Sequence, residues 1–99
     1  MNADGLSTTF SSTRGGVMTV EVGAVTGELE LRTTPDPSSG YRVEVRYAGA
    51  DEWYAVEGGA PLPTDLAHEA CHAEVLRKLT TPGERRGFNE DPVSLKGGL

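Results

Sequence analysis

The clearest pattern in the chain runs from Tyr41 to Tyr47, where Tyr41, Val43, Val45 and Tyr47 alternate with Arg42, Glu44 and Arg46. A period of two places one set of side chains on each face of a strand. Three shorter stretches carry the same signal. Met18, Val20 and Val22 alternate with Thr19 and Glu21 in Val17–Val22, and Leu29 and Leu31 alternate with charges in Glu28–Arg32. Glu52–Glu57 reads as a fourth strand whose inward pair is either Trp53 with Ala55 or Tyr54 with Val56.

The connections are built from turn formers: Gly23 and Gly27, the loop Thr34-Pro35-Asp36-Pro37-Ser38-Ser39-Gly40, and Ala48-Gly49-Ala50-Asp51. Prolines remove ladder donors, and Gly, Ser and Asp favour turns.

After Gly58-Gly59-Ala60-Pro61-Leu62-Pro63 the period changes. Thr64 is positioned to cap a helix, Asp65 suits its first turn and residues 65–79 hold no Gly or Pro. Arg77 and Lys78 fall in the last turn, and Thr80-Thr81-Pro82-Gly83 ends it. A helix of ~24 Å matches a seven-residue strand of ~23 Å. The pattern therefore predicts an α+β fold: a four-stranded antiparallel sheet in meander order, then one helix across one face (ββββα). Its inner face would carry Met18, Val20, Val22, Leu29, Leu31, Val43, Val45 and Tyr47 against Val75, Leu76 and Leu79. The outward charges Glu28, Glu30 and Arg32 would lie near Arg42, Glu44 and Arg46 as a solvated face.

The remaining segments divide the chain. Residues 1–16 are rich in Ser, Thr and Gly, with Leu6 and Phe10 their only large apolar side chains. Residues 83–99 mix charge and glycine, and Pro92-Val93-Ser94-Leu95 reads as loop. Both are expected to be flexible ends around a single domain at 17–82.

Charge narrows the partners. Fifteen acidic against nine basic side chains give a net charge of −6. That disfavours nucleic acid and anionic membranes. Arg85-Arg86 beside Phe88 does not change this, since two arginines in such a chain read as a solvated tail. No apolar run approaches ~20 residues, and no basic segment leads into an apolar one at the start. One cysteine allows no internal disulfide. Together these predict a soluble, cytoplasmic protein.

One motif carries chemistry: His68-Glu69-Ala70-Cys71-His72 spells H-E-x-x-H within the predicted helix. Imidazoles one turn apart can hold zinc, and the carboxylate can act as base on a metal-bound water. The segment resembles that of the zincin metallopeptidases. The resemblance implies zinc at His68 and His72 and a catalytic role for Glu69. It covers five residues. No third histidine follows, and the downstream acids Glu84, Glu90 and Asp91 lie in a segment without helical pattern. The helix wheel places both histidines with Cys71, Val75, Leu76 and Leu79 on the apolar stripe, which predicts core packing against the sheet. Cys71 reads as a small core residue.

The expected function is therefore a non-catalytic protein-interaction or regulatory module, with no cofactor and with another protein as partner. Trp53 and Tyr54 are the candidate binding residues, because one of the two rings points outward in either register. The alternative is a minimal zinc-dependent hydrolase using His68, His72 and Glu69.

Overall fold

A computed structural model describes residues 5–99. The chain is α+β, with a four-stranded antiparallel sheet and one helix on its inner face. The strands are β1 (Leu6–Ser11), β4 (Glu28–Pro35), β5 (Tyr41–Tyr47) and β6 (Tyr54–Ala55), in that spatial order. The helix α1 spans His68–Leu79. No helix among the described residues is long and apolar enough to cross a membrane.

The sheet's first strand comes from the segment expected to be a flexible lead. In β1, Leu6, Thr8 and Phe10 point inward, and Ser7, Thr9 and Ser11 are exposed. β1 pairs with β4 through Leu6↔Thr33, Thr8↔Leu31 and Phe10↔Leu29. The expectation for residues 1–4 lies outside the described residues.

Val17–Val22, expected to be the first sheet strand, takes another place. Val17–Thr19 forms β2 and folds back on β3 (Gly23–Val25) as a separate hairpin. The inward set is also the opposite one: Val17 and Thr19 are buried, whereas Val20 and Val22 are 66% and 54% exposed. Thr19 explains the switch. Its hydroxyl donates to the Gly23 carbonyl at 2.6 Å and accepts from the Val22 N–H at 3.2 Å. That pair of bonds closes the turn at Val20–Val22 and ends the strand.

β4 and β5 form as the alternation predicts, with Leu29, Leu31, Val43 and Val45 fully buried. β4 runs on to Pro35, so Thr33 is also buried. The fourth strand is shorter than Glu52–Glu57. Tyr54 opposes Val45 on the inner face and Ala55 opposes Glu44 on the outer face, so Tyr54 with Val56 is the inward pair.

The expected C-terminal tail is also structured. Val93 N–H donates to the Gly16 carbonyl, and Met18 N–H donates to the Val93 carbonyl, both at 2.8 Å. Leu95 N–H donates to the Glu57 carbonyl at 2.8 Å, and the Leu95 side chain is fully buried. Burying two alternate aliphatic side chains offsets the entropy of ordering this segment. Before it, β7 (Arg85–Arg86) and β8 (Asn89–Glu90) make a small hairpin with Phe88 wholly exposed at its tip.

The helix starts at His68, three residues after the expected Asp65, and Thr64 does not cap it. The Thr64 hydroxyl instead accepts from Leu66 N–H at 3.2 Å, and Tyr41 Oη donates to the Leu66 carbonyl at 2.8 Å. Those two bonds hold residues 64–66 in a turn. At the other end Thr80 and Thr81 hydroxyls donate to the Leu76 and Arg77 carbonyls, and Pro82 stops the helix.

Candidate functional site

The helix presents Cys71, His72, Val75 and Leu79 to the sheet as buried side chains, with His68 and Leu76 partly buried beside them. The histidine pair thus lies on the apolar stripe, as the wheel predicts. It meets the two polar side chains of the inner face, Thr33 of β4 and Thr8 of β1.

His68 Nε2 lies 3.0 Å from the Thr33 carbonyl oxygen and 3.0 Å from Thr33 Oγ1. His72 Nδ1 lies 2.7 Å from Thr33 Oγ1, and His72 Nε2 lies 2.8 Å from Thr8 Oγ1. A carbonyl only accepts, so His68 carries its proton on Nε2. One assignment then satisfies each group. Thr33 Oγ1–H donates to His72 Nδ1, and His72 Nε2–H donates to Thr8 Oγ1. The His72 imidazole is neutral in this arrangement, one nitrogen accepting and the other donating. Burial holds the His72 ring below its ordinary pKa, and the nearby His68 adds to the effect. His68 also stacks on Tyr41, with ring centroids 4.9 Å apart.

The zinc reading meets this geometry unfavourably. Both His72 nitrogens and His68 Nε2 are engaged by threonine oxygens, and Glu69 is exposed. Among the described residues no group of three His, Cys, Asp or Glu side chains converges on a point where an ion would sit. A catalytic zinc centre needs three protein ligands and an open position. Cys71 is fully buried, and burial pushes its thiol pKa up, away from the thiolate form.

Trp53 and Tyr54 go to opposite faces. Trp53 lies on the outer face, with the guanidinium carbons of Arg32 and Arg46 at 3.9 and 4.4 Å from its ring centroid. Each arginine is also paired across the ladder, Arg32 with Glu44 and Arg46 with Glu30, both at 2.8 Å. The charged face expected to be solvated is therefore half-buried beneath an indole. Cation–π contacts and ion pairs share the same guanidinium groups, which occupies Trp53 within the fold.

Tyr54 has a different setting. It stands diagonally beside Tyr47 on the inner face. The β2–β3 turn bonds to the next residue of β6: Val20 N–H donates to the Ala55 carbonyl, and Ala55 N–H donates to Glu21 Oε1, both at 2.9 Å. Tyr47 is 43% exposed, and Val20 and Val22 on the adjoining turn are exposed as well. Partial desolvation raises the Tyr54 pKa, and Glu52, Tyr47 and Glu21 raise it further.

Sequence reasoning singled out Tyr54 and placed Tyr47, Val20 and Val22 in the core, because alternation assigns all three there, whereas all three are exposed. It also missed Thr8 and Thr33, since a polar residue at an inward position reads as a break in the pattern. A groove of about 360 Å³ lies beyond the helix C-terminus, between Lys78, Pro82, Asp91 and Val93. Its acids Glu84 and Asp91 are paired with Arg86.

Comparison with known proteins finds no matching family model, no matching curated protein and no matching solved structure.

Proposed function

We propose that this protein is a non-catalytic interaction module of the cytoplasm, which binds another protein at the Tyr47–Tyr54 end of its sheet. The reading is supported by exposed Tyr47 beside Tyr54 on the inner face, with Val20 and Val22 exposed on the turn that bonds to neighbouring Ala55. Exposed valines at a turn cost solvation without contributing to the core, and clustered apolar exposure marks binding surfaces. Tyrosines add rigid contact area with a polar tip. Glu21, Asp51 and Glu52 border the patch in sequence, which suits a partner with an apolar anchor and a basic rim. The buried, unpaired thiol of Cys71 agrees with a reducing compartment.

The test places a photo-crosslinking amino acid at Tyr54 in the native host, with Glu69 as the control position. The expected result is one dominant adduct at Tyr54, absent at Glu69 and lost in a Val20→Glu variant. Equal adducts at both positions would reject the patch. Stoichiometric zinc in protein purified without a histidine tag would reject the non-catalytic reading in favour of a metal site.

A further inference from the structure

The two edges of the main sheet are treated differently. At β6 the outward backbone groups of Ala55 are both engaged, the N–H by Glu21 and the carbonyl by Val20 N–H. At β1 nothing comparable occurs among the described residues. Ser12 N–H donates to the Gly27 carbonyl at 2.9 Å, and that pair continues the β1–β4 register. In an antiparallel ladder alternate residues bond to the same neighbour. Leu6, Thr8 and Phe10 therefore bond to β4, and the N–H and C=O groups of Ser7, Thr9 and Ser11 point away from the sheet. Among the described residues none of these outward groups has a backbone partner.

Natural sheets protect such an edge with charge, proline, a bulge or a covering segment. Residues 5–13 contain no charged residue and no proline, in a chain with 24% charged residues. The β1–β4 pairing is regular over all six residues, without a bulge.

We infer that two copies of this chain pair through β1, antiparallel about a twofold axis at Thr9. The occupant follows from charge and symmetry. Each copy carries a net charge of −6, so two copies approach most easily along an uncharged edge. The outward groups are centred on Thr9, so an antiparallel pairing sets Thr9 opposite its own copy and Ser7 opposite Ser11. A shared surface patch on both subunits is what a twofold interface requires. On the outer face, threonine meets threonine and serine meets serine, pairs that favour cross-strand contact. The result is one eight-stranded sheet. It leaves β6 and the Tyr54 patch at each far end, which makes the dimer a bivalent form of the module.

The test combines sedimentation with amide exchange over a concentration series of the full chain. The expected result is a monomer–dimer equilibrium in which the Ser7, Thr9 and Ser11 amides become protected as dimer forms. Thr9→Pro removes both central inter-copy bonds and weakens the dimer more than about tenfold. Among the described residues the Thr9 amide has no hydrogen-bond partner, so the fold should persist. If Thr9→Pro does not fold, Thr9→Lys and Thr9→Glu serve instead: each alone should be monomeric, and an equal mixture should pair again. A monomer at all concentrations, a dimer in which these three amides exchange freely, or their protection by a segment of another protein bound to a monomer would each overturn the proposal. Loss of the dimer with an intact Tyr54 crosslink would leave the proposed function standing.

Discussion

His72 and Thr8 lie 64 positions apart in the chain and meet at 2.8 Å, where the imidazole Nε2–H donates to the threonine hydroxyl. Together with Thr33 they form a polar seam that ties the helix to two strands of a largely apolar interior. Each member uses its partner's complementary atom, so the seam adds direction to a contact that aliphatic packing alone would leave free to slide.

The seam makes stability depend on pH. Burial and the nearby His68 hold His72 below the ordinary value of 6.5. The unfolded chain therefore binds a proton at a pH where the folded chain does not. By linkage, stability is full above about 6.5 and is lost as pH falls from there toward the folded value. Urea unfolding at a series of pH values should show this slope, and His72→Gln should flatten it. A wild-type slope of opposite sign, or one unchanged in the variant, would refute the assignment.

Cys71 should be inert in the native state. Its side chain is fully buried, and its thiol is held toward the protonated form. A thiol reagent at neutral pH should modify it only through unfolding, so the rate should climb with denaturant. Labelling at the rate of an unfolded control would contradict the packing described.

Trp53 should contribute to stability through the outer face. Trp53→Ala removes the ring that spans Arg32 and Arg46 and should cost about 1–2 kcal/mol in urea unfolding. As the sole tryptophan it also reports on itself, and its fluorescence should change in Arg46→Ala. A neutral Trp53→Ala would mean that the indole does not rest on the guanidinium groups.

The C-terminal segment should be indispensable. Leu95→Ala opens a cavity in a fully buried site and should cost about 2–5 kcal/mol. Deleting residues 92–99 should prevent cooperative folding, as followed by circular dichroism during thermal unfolding. A truncated chain that melts like the full one would restore the view of residues 83–99 as a loose tail.

Much of the fold was legible in local pattern. Tyr41–Tyr47, Glu28–Arg32 and the stripe of Cys71, Val75 and Leu79 each satisfy their own period, because most of their inward residues are apolar. The alternation of β1 was hidden by Thr8 and that of Val17–Val22 was misread because Thr19 is buried. A threonine becomes an interior residue only when its hydroxyl finds a partner. For Thr19 that partner is a local turn, and for Thr8 it is an imidazole 64 positions away.

The sequence by itself determined the α+β class, the strongest strands, the helix and the inward turn of its two histidines. These depend on side-chain periodicity, which is a property of neighbours along the chain. Tertiary structure alone decided which strand holds each edge, that Val93 and Leu95 close the core, that Trp53 covers paired arginines, and that Val20 and Val22 face solvent. The first three depend on hydrogen-bond or packing partners far apart in sequence, and the last on the side-chain bonds of one turn, none of which periodicity registers.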